Sequence, residues 1–229
     1  MEAALKKQLM DWAGEYNDPV HFAEDPIAFP TEFVRRGATL QDIETAAVFA
    51  AHFAWGRRPM IVRDLERFFD FLEWRPLDYV MSGDYRSDNT SCHRTIKWSE
   101  TALICRNLKE FFNKEESLEK LSNAQIRTRI YGRKEDPAAA DKKINLMRRW
   151  MVRNDGKVDL GIWKNSSPTS LIIPLDTHVH TQALDLGLTK RTSKNLTTAL
   201  EITDSFREIF PDDPCLGDFA LFGYGVSHR

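Results

Sequence analysis

Two short segments hold the residues that can act together on a substrate. Asp141–Arg153 (DKKINLMRRWMVR) places Lys142 and Lys143 where a helix should start. The positive end of a helix dipole disfavours an ammonium there. Neighbouring like charge and partial burial push the same way, toward the neutral amine that attacks electrophilic carbon. The two lysines point about a quarter-turn apart, so only one can face a given substrate. Lys142 and Lys143 both remain candidate nucleophiles on sequence grounds. The second segment, Leu171–Leu188 (LIIPLDTHVHTQALDLGL), holds Asp176 two residues after Pro174. Proline disfavours helix at the preceding residue, and aspartate is well suited to cap the helix that follows. A carboxylate accepting backbone N–H bonds is held ionised and fixed. It can then offset positive charge growing on a sugar as a glycosidic bond breaks.

Asp176, His178 and His180 also form a two-residue series. That spacing converges on a strand and splays apart on a helix, so no metal site is expected. The two histidines are read as surface or hydrogen-bonded core groups. Along the first segment, Lys142, Asn145, Arg149 and Arg153 fall on one helical face, predicted to be a polar stripe open to phosphate. Ile144, Met147, Trp150 and Met151 are predicted to face the core.

The elements that carry these segments read almost entirely as helix, with no convincing strand alternation. MEAALKKQLMDWAGEY is an amphipathic amino-terminal helix, with neither the apolar stretch nor the cleavage site of a signal peptide. Thr39 is placed to cap DIETAAVFAAHFAW, whose Ala46–Ala51 portion is apolar all round and predicts a buried central helix. A second helix follows Gly56-Arg57-Arg58-Pro59, with Ile61, Leu65, Phe68, Phe69 and Leu72 at helical spacing. Ser99 is expected to cap a third helix bearing Leu103, Ile104, Leu108, Phe111 and Phe112 on one face. Asp176 should cap Thr177–Leu186, closed by Gly187. Leu196–Phe210 supplies another helix, and Asp213-Pro214 is expected to open a last one. Ser170–Leu175 is the one short piece that could be extended. The polar stretches Gly83–Ser91 and Gly132–Asp141 are expected loops and possible subdomain boundaries within a single domain, 1–229.

Composition narrows the class without deciding the function. The 229 residues are 42% hydrophobic and 29% charged, and the net charge is −2. That is ordinary for a soluble globular chain. Charge is nevertheless uneven. Arg127–Lys157 holds ten basic residues against four acidic ones, a segment able to attract phosphate. Cys92, Cys105 and Cys215 are odd in number and far apart. They exclude a disulfide framework, a zinc knuckle and a four-cysteine iron–sulfur cluster, and no cofactor is expected. No apolar run reaches membrane-spanning length. The reading is a cytoplasmic protein with no membrane partner.

Taken together, Asp42–Gly56, Lys142–Arg153, Val158–Trp163, Ile173–Val179 and Asp218–Gly225 resemble a bacterial family of conserved hypothetical proteins. That family is related to the helix-hairpin-helix DNA glycosylase superfamily. The Lys-to-Asp separation looks most like that of archaeal 8-oxoguanine DNA glycosylases. The resemblance implies an all-α, helix-hairpin-helix glycosylase-like fold, with two helical subdomains flanking a basic cleft. It implies a base-excision glycosylase with lyase activity acting on duplex DNA that carries a damaged base, an oxidised purine first among them. Lys142 would attack C1′ of a flipped nucleotide, and Asp176 would assist. Trp55-Gly56-Arg57 resembles the turn from which glycosylases insert a side chain into the duplex. Arg57 is the candidate wedge or phosphate contact, and Lys143, Asn145, Arg148, Arg149 and Arg153 are candidate nucleic-acid contacts. Trp55, Trp150 and Trp163 are candidate stacking surfaces.

One departure bears on mechanism. The superfamily hairpin carries glycines that let backbone amides approach a phosphate, whereas Asp136–Asp141 (DPAAAD) has none. Alanine adopts positive φ only at a cost. Two further function classes therefore stand beside the first. One is a nucleic-acid-binding module without chemistry, and the other is a protein acting on a nucleotide or small molecule in the same cleft.

Overall fold

The computed structural model describes residues 1–227, which are predominantly helical with one small hairpin. The chain divides into two units, 23–135 and 1–22 with 136–229. One junction falls inside the loop expected at Gly132–Asp141. The other lies at 22/23, and Gly83–Ser91 sits within the first-named unit instead of bounding it.

Unit 23–135 is built on α3 (Leu40–Phe53). Thr39 Oγ1 accepts the Asp42 amide at 3.2 Å and starts it. Ala46 to Ala51 are fully buried, as an all-round apolar helix requires. Helices α2 (Ala28–Arg35) and α5 (Pro76–Ser82) pack on α3. On α4 (Arg58–Phe71), Ile61, Leu65, Phe68 and Phe69 are buried, and Leu72 just after it is buried too. Phe29 and Trp74 stack on the ring of Phe69. Helix α6 (Trp98–Phe112) follows a hairpin of β1 (Ser91–His93) and β2 (Ile96–Lys97) that the sequence did not announce. Because β2 runs straight into α6, the helix starts one residue before Ser99. The Ser99 hydroxyl instead donates to Asn89 Oδ1, and the Glu100 carboxylate accepts the Lys97 amide. Leu103, expected on the inner face, is exposed. The unit ends in α7, Asn123–Gln125 running into one π-helical turn, Ile126–Ile130.

Unit 1–22 with 136–229 holds α1 (Ala3–Tyr16), α8 (Lys142–Val152), α9 (Thr177–Asp185), α10 (Leu196–Arg207) and α11 (Leu216–Ser227). Helix α1 lies along α11, with edge-on ring contacts Trp12–Tyr224 and Tyr16–Phe222. Helix α9 packs on α11 as well. The last helix begins at Leu216, later than Asp213-Pro214 suggested: the chain first makes two tight turns, with the Leu216 amide on the Asp213 carbonyl and the Gly217 amide on the Pro214 carbonyl, both at 3.1 Å. Residues 168–170 form a 3-10 turn, and no strand follows there. No described helix is long and apolar enough to cross a membrane.

Candidate functional site

Lys142 is the first residue of α8, as the sequence predicts. Asp141, just before it, takes the left-handed conformation at φ 45°. The positive φ that a hairpin glycine would supply therefore falls on an aspartate, one of the few residue types that tolerates it. Asn145 is buried and its amide donates to the Ala140 carbonyl at 2.8 Å, locking this entry. The expected nucleic-acid role of Asn145 is corrected accordingly: its side chain is spent on the chain's own turn.

Asp176 opens α9 as predicted. Its Oδ1 accepts the Val179 amide at 2.9 Å, which leaves Oδ2 free to face α8. Lys142 Nζ stands 3.8 Å from that oxygen. The two side chains are 28% and 35% exposed, sheltered but reachable. A sequence separation of 34 residues is thus closed to an ion-pair contact. An amine beside a fixed carboxylate can attack an electrophilic carbon while the carboxylate offsets positive charge at that carbon. At the far end of α9, the Leu188 amide reaches back to the Ala183 carbonyl at 2.8 Å, with Gly187 at φ +68°. That is the glycine-closed helix end expected there.

Sequence reading missed one neighbour. Lys194 Nζ donates to Thr177 Oγ1 at 3.1 Å, adding a second cation beside the start of α9. Nothing local to Lys194 marks it, because the contact depends on how the 186–195 loop folds back. His178 is exposed, and buried His180 places Nε2 2.8 Å from the Arg191 carbonyl. Neither joins Asp176 in a shared site, and among the described residues no group of three potential ligands is arranged to hold a metal.

The polar stripe of α8 is corrected more sharply. Arg149 and Arg153 are 4% and 0% exposed. Arg153 pairs with Asp213 and Asp155, each at 2.8 Å, and with Asp159. Arg149 pairs with Asp159 at 3.3 Å and with Asp218. The ring of Phe219 lies 4.8 Å from both guanidiniums. These arginines cannot reach a phosphate. They clamp α8 to α11 and to the 153–163 loop, and so fix where Lys142 starts. Burial pushes the carboxyl groups of Asp213 and Asp218 upward against the pull of Arg153 and Arg149 respectively. The charge of Asp176 adds to the shift at Asp218, so clamp and site feel one another. Asp155 moves downward: burial opposes it, but the Asn17 amide at 2.6 Å and Arg153 prevail.

Trp150 and Trp163 are corrected as stacking surfaces, since both are buried in the core. The Trp150 carbonyl accepts the Leu160 amide, and the Trp163 amide donates to Met151, both at 2.8 Å. Lys143 and Arg148 are half-buried, with the Arg148 guanidinium 5.6 Å from the Trp163 ring. In unit 23–135, Trp55 is 43% exposed and Arg57 is exposed. The Arg94 guanidinium lies 4.1 Å over the Trp55 ring. The turn itself is braced by buried His93, whose ring nitrogens meet Asp64 at 2.8 Å and the Trp55 carbonyl at 3.0 Å.

A family model described as a protein of unknown function, DUF2400, matches residues 25–135 and 122–227. The chain belongs to the DUF2400 family. The first DUF2400 match covers nearly all of unit 23–135, and the second includes both Lys142 and Asp176. No curated protein and no solved structure matches the chain.

Proposed function

We propose that this protein is a DNA base-excision glycosylase with lyase activity, on a fold of the helix-hairpin-helix glycosylase type. The observation that carries the reading is the 3.8 Å approach of Lys142 Nζ to an Asp176 carboxylate immobilised as a helix cap. In the proposed sequence the target nucleotide leaves the stack, at least cost when its base is damaged. The C1′–N bond breaks, and the base departs with the electron pair and gains a proton. Asp176 offsets the positive charge left on the sugar. Lys142 Nζ, once its ammonium proton has passed to solvent, bonds to C1′ and gives up a second proton, and opening of the sugar ring yields a Schiff base. Loss of a C2′ proton then expels the 3′ phosphate. An oxidised purine is the first substrate to test. The experiment is strand cleavage of duplexes carrying single lesions, with Lys142→Ala, Lys143→Ala and Asp176→Ala alongside. The reading expects Lys142→Ala to abolish cleavage and Lys143→Ala to retain most of it. Absence of cleavage across an oxidised-purine panel at enzyme excess overturns it.

A second reading, a binding module without chemistry, is favoured by the glycine-free hairpin and its aspartate at positive φ. It expects duplex binding that survives both Lys142→Ala and Asp176→Ala.

A further inference from the structure

The turn that closes unit 23–135 concentrates charge on a rigid frame. After Ser122 caps α7, the helix widens into the π turn Ile126–Ile130, with the Tyr131 amide donating to the Ile126 carbonyl at 3.1 Å. The Asn107 amide holds the Ile130 carbonyl at 3.0 Å. The chain then folds back on itself: the Arg133 amide donates to the Arg127 carbonyl at 3.0 Å, and Arg127 Nε donates to the Lys134 carbonyl at 2.8 Å. Gly132, at φ +61°, presses so close to Leu103 and Asn107 that a side chain there would collide. Ile126, Ile130 and Tyr131 are buried, while Arg129, Arg133 and Lys134 point to solvent. Among the described residues no carboxylate pairs with any of these three. Aromatic rings flank two of them, Phe111 at 5.3 Å from the Arg129 guanidinium and Tyr131 at 5.9 Å from that of Arg133.

Three like charges within six residues repel one another, and a partner with opposite charge relieves that cost. Guanidinium forks suit phosphate oxygens, and a loop already closed by hydrogen bonds loses little freedom on binding. π turns recur at functional sites. We infer that Arg129, Arg133 and Lys134 form a binding surface for the phosphate backbone of duplex DNA. The inference deepens the glycosylase reading by naming where the backbone is held, and it rests on that reading for its choice of DNA.

The test is fluorescence anisotropy of the full chain on a lesion-free duplex over a range of salt concentrations. The comparison is with Arg129→Gln/Arg133→Gln/Lys134→Gln and with the charge-keeping Arg129→Lys/Arg133→Lys. Each phosphate contact contributes about 0.9 to the slope of log K against log salt, so the triple change should lower it by about 2–3. The charge-keeping pair should leave it unchanged. The single changes Arg133→Gln and Lys134→Gln should each remove about 0.9, which keeps the test decisive if the triple variant folds poorly. A slope unaltered by these changes overturns the inference, as does a wild-type protein that binds no duplex at low salt. Strand cleavage with an unaltered slope removes this surface and keeps the enzyme. A lowered slope in a protein without cleavage keeps the surface and removes the enzyme.

Discussion

Arg153→Met separates a structural clamp from a nucleic-acid contact. Methionine approximates the volume of the arginine stem and removes the cation. Asp155, Asp159 and Asp213 then lose the guanidinium that each of them touches. Breaking a buried ion pair from one side costs about 3–5 kcal/mol, because the remaining charge is left uncompensated. In a chain of this length 1 kcal/mol corresponds to roughly 2–4 °C, so the melting temperature should fall by roughly 6–20 °C. The pH dependence has a definite sign. Burial already raises the Asp213 carboxyl in the presence of Arg153, and removing the cation raises it further. A carboxyl whose folded pKa lies above its unfolded value penalises the fold at neutral pH. The penalty fades as pH falls toward the unfolded value, about 3.9. The deficit relative to wild type should therefore be largest near pH 7 and shrink on approaching pH 4. Urea unfolding at several pH values measures it. An exposed arginine that touches phosphate would change stability by no more than about 0.5 kcal/mol. A loss that small at pH 7, with a weakened salt dependence of DNA binding, refutes the clamp and restores the phosphate stripe.

Asp176 has separable roles. Asp176→Ala should cost about 1 kcal/mol by removing the cap acceptor, whereas Asp176→Asn keeps an acceptor and should melt near wild type while losing most cleavage activity. Thermal melts beside strand-cleavage rates distinguish the two. Gly217→Ala should destabilise by about 1–3 kcal/mol, because the added methyl meets the ring of Phe206, and urea unfolding reads the loss. Burial raises the thiols of Cys92 and Cys105 to about 12 and that of Cys215 well above its ordinary value. A colorimetric thiol reagent at pH 8 should therefore find almost no thiolate in the native chain and three equivalents after unfolding.

What could be read from the sequence divides by range. Thr39, Asp176 and Gly187 announce helix ends because a cap involves neighbours three or four residues away. The same local logic placed Lys142 at a helix start and Ile144, Met147, Trp150 and Met151 inward. Arg149 and Arg153 misled because four-residue spacing among basic neighbours resembles a solvated face. Besides Asp159, which pairs with both, Arg149 finds Asp218 at a separation of 69 residues and Arg153 finds Asp213 at 60. Nothing in a helical period reveals such acids. Trp150 and Trp163 each had two readings, because a large aromatic can stack on a ligand or fill a core, and packing decides for the core. No local pattern marks Lys194, because its contact with Thr177 is made by a loop. The Lys142–Asp176 pair was legible as two helix starts, and only the fold brings them to 3.8 Å.

Borohydride trapping on duplex DNA carrying 8-oxoguanine or an abasic site tests the central claim most directly. A Schiff base between Lys142 and C1′ is reduced to a stable protein–DNA adduct. The prediction is an adduct formed by wild type and by Lys143→Ala, absent in Lys142→Ala, and strongly reduced in Asp176→Ala. An adduct that persists in Lys142→Ala, or none from a wild-type protein that binds the same duplexes, contradicts the assignment of Lys142 as the nucleophile.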